Sequence, residues 1–141
     1  MLRKLKEKDV PYMLEWMHDK EITQNFRNDF GTYTEVMVKN FIKSSYNDKN
    51  RHFAFVDTND IYLGTISLKN ISYQDKNAEY AIVTRRSAQG TGQAYCATKE
   101  ILEYAFHTLK LEKVYLNVLE ENVRANQFYK KCGFELEGQA R

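Results

Sequence analysis

The spacing of apolar residues changes twice along the chain, and the changes mark out its elements. Leu2 and Leu5 suit a short first strand. Met13, Leu14, Trp16 and Met17 then recur at helical spacing, with Asp9 as the expected N-cap and Pro11 in the first turn, where a missing N–H costs nothing. Residues 21–31 are polar and aromatic without a period, and read as a loop. A second helix carries Met37, Val38, Phe41 and Ile42 on one stripe, with Thr32 and Glu35 as the expected capping box.

From residue 52 the pattern turns to strands. Residues 52–56 and 61–68 flank the turn-forming run Asp57-Thr58-Asn59-Asp60 and read as a hairpin. A polar loop over 70–76 leads to a third strand over 78–83. Helical spacing returns over about 92–109, with Ala94, Ala97, Ile101, Ala105 and Leu109 on one side. Val114, Leu116 and Val118 alternate with Tyr115 and Asn117, as in a half-buried strand. Asn122 caps a short helix that turns Ala125, Phe128 and Cys132 to the core and stops at Gly133; a last strand is expected over 134–137. The order β-α-α-β-β-β-α-β-α-β, antiparallel in the middle and helix-joined later, predicts an α+β or mixed-sheet α/β fold in a single domain over 1–141.

Composition removes several classes of function. Ten Tyr and eight Phe in 141 residues argue against disorder. A net charge of +2 gives neither a basic footprint for nucleic acid nor an acidic tail. No apolar run approaches the roughly 18 residues that cross a bilayer, and MLRKLKEKD is too charged for a signal peptide, so a cytoplasmic protein without a membrane partner is expected. Cys96 and Cys132 form no CxxC pair and read as two small buried thiols. His18, His52 and His107 lack ligand spacing, so no metal is expected.

The chemistry concentrates in Arg85-Arg86-Ser87-Ala88-Gln89-Gly90-Thr91-Gly92-Gln93-Ala94, between a strand and a helix. Glycines there let the backbone turn sharply and bring its amides to an anion, and the helix start adds unpaired donors. Arg85 and Arg86 lie nearby in sequence to add charge. By itself this reads either as a pyrophosphate turn or as a plain connection. No Gly-Lys-Ser/Thr follows, and the third glycine of a dinucleotide fingerprint is missing.

Gln89-Gly90-Thr91-Gly92-Gln93-Ala94 resembles the pyrophosphate signature Gln/Arg-x-x-Gly-x-Gly/Ala of the GCN5-related N-acetyltransferase (GNAT) family. Further on, the run from Asn122 to Phe134, NVRANQFYKKCGF, resembles the family's N-x-x-A-x-x-x-Y-x-K-x-G-F helix, and 109–118 fits its preceding strand. Two motifs at the expected separation are more specific than either alone. The resemblance implies the GNAT acyl-CoA N-acyltransferase fold, with acetyl-CoA as co-substrate and an amine that attacks the thioester without an acyl-enzyme. It implies splayed fourth and fifth strands holding the pantetheine arm, with the backbone of Ile82 and Val83 pairing with that arm beside a strand bulge. It gives the pyrophosphate to Gln89, Gly90, Thr91, Gly92, Gln93 and Ala94, and further cofactor contacts to Asn122 and Asn126. Tyr129, on one stripe with Asn122 and Ala125, is the expected general acid toward the leaving thiolate. Glu79, in Ala-Glu-Tyr-Ala-Ile, resembles the acidic residue of an Ala-Glu-Phe motif and is the expected base. The alternative is a non-catalytic acyl-CoA-binding module of the same fold.

The resemblance extends to acetyltransferases of nucleotide-linked amino sugars, of spermidine and of ribosomal-protein N-termini, and it allows a homodimer. In the first group Trp16, Phe26, Arg27 and Phe30 would contact the nucleotide. A polyamine would call for clustered carboxylates; Glu15, Asp19, Glu21 and Asp29 are interleaved with Lys20 and Arg27, which leaves the acceptor open. Family members continue past the Gly-Phe segment into a final strand, whereas this sequence ends at Gly138-Gln139-Ala140-Arg141; the expectation is that this strand is lacking or comes from a partner chain.

Overall fold

The computed structural model describes residues 1–24, 26, 28–118 and 122–135. Its centre is a five-stranded sheet in the order β1-β2-β3-β4-β5, formed by Leu2–Lys4, Arg51–Val56, Tyr62–Ser72, Asn77–Thr84 and Lys113–Tyr115. All neighbours are antiparallel except β4 and β5, which run parallel. Around it lie α1 (Val10–Met17), a one-turn α2 (Lys20–Thr23), α3 (Glu35–Lys43), α4 (Gln93–Glu103) and α5 (Val123–Lys131). This is the predicted mixed sheet in the predicted order, with α2 added. The last predicted strand, over 134–137, is not formed at Phe134 and Glu135, and its other positions lie outside the described residues.

Each face of the sheet is covered by helices, so β3 is buried continuously from Tyr62 to Leu68 rather than alternating. On β2 the pleat divides the two cores. Ala54 and Val56 meet Met13, Trp16, Met17 and Val38 of α1 and α3. Phe53 and Phe55 join Ala97, Ile101 and Ala105 of the α4 side, with Ile66, Leu68 and Tyr80. Gly64 is required where these strands meet: an added Cβ would lie 2.3 Å from the Val83 carbonyl oxygen and 2.5 Å from the Phe55 ring.

Several local expectations are corrected. Thr34, not Thr32, caps α3 by accepting the Met37 amide at 3.3 Å, while the Thr32 hydroxyl donates to the Asp29 carbonyl at 2.8 Å. Asp9 precedes α1 but does not cap it with its side chain. Its fully buried carboxylate instead accepts two bonds from the Arg3 guanidinium, each at 2.8 Å, and one from the Lys6 amide at 2.9 Å. The loop expected over 21–31 begins with α2, capped by Asp19, and contains a tight turn at Phe30–Thr32. The helix expected over about 92–109 is α-helical only to Glu103 and finishes in a wider turn, in which the Leu109 amide donates to the Tyr104 carbonyl. Of the two cysteines Cys132 is buried, but Cys96 is exposed.

One topological feature positions the site. β4 and β5 pair only at Asn77↔Lys113, Ala78↔Val114 and Glu79↔Tyr115. Beyond Glu79, β4 continues to Thr84 against β3, and no described strand covers its other edge.

Candidate active site

The gap left by β5 opens a cleft of about 530 Å³. Ile82, Val83 and Thr84 of β4 form its floor. The Arg85 amide donates to the Leu63 carbonyl at 2.8 Å, which fixes the alternation of the antiparallel ladder. By that alternation the backbone groups of Val83 face β3, while those of Tyr80, Ile82 and Thr84 face the gap. Of the two residues expected to offer backbone to the pantetheine arm, Ile82 turns its backbone groups to the gap and Val83 turns its to β3, and both residues line the cleft. The expected bulge is not at this place. The β3–β4 register is unbroken from Gly64↔Thr84 to Lys69↔Glu79, and its shift lies between Lys69 and Ser72.

One wall is the turn into α4. Gly90 and Gly92 take φ of 77° and 85°, the left-handed region that glycine enters without strain. A Cβ at either would meet nothing within 4 Å, so the backbone angle and not crowding selects glycine. No side chain caps α4, whose N-cap is Gly92. Among the described residues nothing accepts from the amides of Gly90, Gly92, Ala94 and Tyr95, and the Gln93 amide has only the Thr91 hydroxyl at 3.4 Å. Thr91 otherwise braces the turn, donating to the Ala88 carbonyl at 2.6 Å, and Gln89 ties it to β4 through the Thr84 carbonyl at 3.3 Å. Gln89, Gly90, Gly92 and Ala94 line the cleft; Thr91 and Gln93 do not.

The opposite wall is α5. Asn122 lines the cleft and caps the helix through the Ala125 amide at 3.3 Å. The Asn126 amide group donates to the Asn122 carbonyl at 2.9 Å, and Asn126 is not among the lining residues. Ala125 and Phe128, expected in the core, are only half-buried and line the cleft instead. Tyr129 lines it too, with its ring against Tyr80 at 5.8 Å, Phe128 at 5.6 Å and Phe134 at 6.0 Å. Burial pushes the Tyr129 phenol above its ordinary value, with the neighbouring Cys132 thiol adding to the effect. Burial likewise raises the Cys132 thiol.

Glu79 sits at the last β4–β5 pair but does not line the cleft. Ala78 and Tyr80 point into the α4-side core, so the pleat turns Glu79 to the other face. There its carboxylate accepts from Asn70 at 3.3 Å and Asn117 at 3.4 Å, with the Lys69 ammonium at 3.9 Å.

The charges differ most from the expectation. Arg85 is held bidentately by Glu15 at 2.9 and 3.1 Å and lies over the Tyr12 ring at 4.5 Å. Arg86 grips Asp19 at 2.6 and 2.9 Å and Glu21 at 2.7 Å. Both arginines are therefore spent on α1 and α2 and neither lines the cleft. The cations that do are Arg124 and Lys131 of α5, with Lys131 over the Tyr95 ring at 5.2 Å. Sequence reasoning assigned them no role. The signal was present, because Arg124, Phe128 and Lys131 repeat at the spacing of one helix face. The rim is completed by Glu21, Ile22, Gln24 and Phe26. Of the expected nucleotide contacts among the described residues, Phe26 reaches the cleft, whereas Trp16 is buried and donates to the Tyr62 hydroxyl at 2.9 Å and Phe30 packs on Trp16 at 5.0 Å; Arg27 lies outside the described residues.

Among the described residues, no group of three or more His, Cys, Asp or Glu is placed to hold a metal, and no helix is long and apolar enough to cross a membrane. Comparison with known proteins agrees with the geometry. Residues 1–135 match the family model described as an acetyltransferase (GNAT) domain. The spermidine N(1)-acetyltransferase of Vibrio cholerae is 29% identical over 138 residues, covering 97% of this chain and 79% of that protein. Acetyltransferase PseH of Campylobacter jejuni is 23% identical, covering 94% of this chain and 80% of that protein. The crystal structure of the Vibrio cholerae spermidine N-acetyltransferase in complex with CoA and spermine superposes with a TM-score of 0.87 at 28% identity, over 98% of this chain and 82% of that one.

Proposed function

The chain belongs to the GNAT acetyltransferase family and is an acetyl-CoA-dependent N-acetyltransferase, and we propose that the primary amine of a small molecule takes the acetyl group by direct attack in the gap between β4 and β5. The observation that carries this is the set of unpaired amides at Gly90, Gly92, Ala94 and Tyr95, placed on the same cleft as the half-buried Tyr129. Those amides and the α4 N-terminus suit a diphosphate, with Arg124 and Lys131 supplying the charge that Arg85 and Arg86 do not. The open edge at Ile82 and Thr84 suits an amide-bearing arm, which would add to the sheet as a further strand does.

Acetyl-CoA supplies an acetyl group activated as a thioester. The amine nitrogen attacks the carbonyl carbon, the C–S bond breaks, and the sulfur leaves with the bonding electrons. Tyr129, kept neutral by burial, gives its proton or a hydrogen bond to that sulfur. The amine must lose a proton before or during attack. We assign its removal to Glu79, directly or through a water, because Glu79 marks the point where the strands part. An acceptor entering from the sheet face opposite α4 would meet it there. Holding the amine and thioester together contributes the rest. A homodimer and a cytoplasmic location complete the reading. The dodecameric structure of the Vibrio cholerae spermidine N-acetyltransferase supports self-association, and the dependence on acetyl-CoA supports the location.

Calorimetry with CoA, paired with thiol release from acetyl-CoA in the presence of amines, tests the assignment. Saturable binding with amine-dependent release is expected. Binding without release for every amine would make the protein a non-catalytic module of the same fold, and no binding at all would remove the cleft from consideration.

A further inference from the structure

The cleft is lined from both sides of the sheet's open edge. Ile82, Ala94 and Tyr129 pack against the α4-side core, whereas Ile22 and Val83 pack against the core of α1 and α3. The groups suited to acetyl-CoA are the amides of the glycine turn, Arg124, Lys131 and Tyr129, and they belong to the turn, α4 and α5. The α1 side contributes Glu21, Ile22, Gln24 and Phe26, on α2 or just after it. With the cofactor placed as above, that side is left to the acceptor.

Little within α2 keeps it there. It is a helix of four residues with no fully buried side chain, and a helix this short does not form by propensity alone. Its two ends are held by other elements. Past its end, Phe26 stands edge-on to Trp16 at 6.3 Å and to Phe30 at 5.7 Å. At its start is Asp19, whose carboxylate accepts the Glu21 amide at 3.1 Å and whose carbonyl accepts the amides of Ile22 and Thr23, each at 3.0 Å. Arg86 grips both oxygens of that carboxylate, at 2.6 and 2.9 Å, and reaches Glu21 at 2.7 Å.

Arg86 is in turn rooted in the sheet. The amide of its predecessor Arg85 donates to Leu63 of β3 at 2.8 Å, and the Ala88 amide closes the tight turn Arg86–Ala88 on the Arg85 carbonyl at 3.0 Å. A guanidinium that gives two N–H groups to one carboxylate fixes direction as well as distance. The end of β4 thereby sets the position of α2. We infer that Arg86 is a positioning residue for the acceptor: through Asp19 and Glu21 it holds the α2 rim over the cleft, without lining the cleft itself. This rests on the acetyltransferase reading above and deepens it.

The link is exposed, with 55% of the Arg86 side chain and 76% of that of Glu21 open to solvent. Such pairs contribute little to the fold as a whole. Their loss undocks the rim for part of the time, and an acceptor that needs the docked rim binds in proportion to the docked fraction.

The test follows thiol release from acetyl-CoA with spermidine, spermine, glucosamine and a peptide with a free N-terminus, and carries forward the amine with the highest kcat/KM. Arg86→Ala should raise the KM for that amine about three- to tenfold, with kcat at saturating amine within about twofold of native and CoA affinity by calorimetry unchanged. Asp19→Asn keeps a good helix cap and removes the charge that Arg86 holds, so it should raise the same KM by a similar factor. Arg86→Ala combined with Asp19→Asn should be no worse than Arg86→Ala alone, because both act through one link. An unchanged amine KM in Arg86→Ala overturns the role, as does a parallel loss of CoA affinity or a multiplication of the two factors in the double variant. Each of these leaves the transferase reading standing. CoA binding with no release from any of the four amines overturns the transferase reading, and this role with it.

Discussion

Tyr129→Phe separates chemistry from architecture at the one residue asked to do both. The ring is held edge-on by Tyr80, Phe128 and Phe134 at 5.6 to 6.0 Å. Such contacts contribute about 0.5–1.5 kcal/mol each, and phenylalanine keeps all of them. Only the hydroxyl is lost, so stability should change by less than about 1 kcal/mol. Tyr129→Ala, by contrast, would empty the ring's place and cost about 3–5 kcal/mol. The hydroxyl's catalytic share follows from its role. Positioned proton donors contribute about 10²–10⁴-fold, or about 3–5 kcal/mol of barrier. Tyr129→Phe should therefore lower kcat by about two to four decades, with thermal stability and CoA affinity close to native. The pH profile gives a second check. Because burial raises the phenol above its ordinary 10.0, it stays protonated through the neutral range, and no fall in rate below pH 10 should arise from this group. Thiol release at saturating acetyl-CoA and amine measures kcat, and calorimetry measures CoA binding. An unchanged kcat in a folded variant that binds CoA would refute the acid role.

The remaining perturbations address the cleft walls and the sheet. Gly92→Val forces a branched residue to φ of 85° and sends its side chain into open cleft space; CoA affinity measured by calorimetry should drop about tenfold or more, and native affinity would mean the turn binds nothing. Arg124→Ala should weaken CoA binding and flatten its salt dependence, whereas Arg86→Ala should leave CoA affinity near native because Arg86 is committed to Asp19 and Glu21; the reverse ranking in titrations at two salt concentrations would restore the expectation from sequence. Burial, with Lys69, depresses the His52 ring to about 4, so the unfolded chain takes up a proton near 6.5 while the folded one does not. Stability from this group is complete above pH 6.5 and lost as pH falls toward 4, by up to about 3 kcal/mol; melting temperatures of the native protein and His52→Gln between pH 7 and 4.5 should converge on acidification. Gly64→Ala places a methyl against the Val83 carbonyl and the Phe55 ring and should cost about 1–3 kcal/mol in denaturant titration; a neutral result would mean the strand has room there.

How much of this was legible in the sequence depends on the range of the interaction concerned. Local rules placed Asn122 as the cap of α5 and Gly133, at φ of 102°, as its stop, because each acts within one turn of chain. Period gave the buried stripe of Ala97, Ile101 and Ala105. The same rules failed where a distant partner outbid the near one. Asp9 has the right type and position to cap α1, but Arg3, brought alongside by β1, takes its carboxylate. Thr32 and Glu35 have capping-box spacing, yet Thr34 is the residue with extended backbone at the helix start. Gly64 carried no signal, since its crowding comes from Phe55 and Val83 on two other strands.

The arginines show why sequence adjacency misleads at the site itself. Arg85 and Arg86 stand next to the glycine turn in the chain, and Arg124 and Lys131 stand far from it. Both arginines lie beyond the last residue of β4, Thr84, where α1 and α2 present Glu15, Asp19 and Glu21. The turn's own cations are consumed in fixing α1 and α2 against the end of β4. The cleft takes its positive charge from α5, which reaches it because β5 leaves the sheet after Tyr115. The parting of two strands thus accounts for the exposed backbone edge and the exchange of cations, and it places the phenol on the open side of β4. A variant that zipped β5 onto the rest of β4 would keep every residue of both motifs and close the cleft between them.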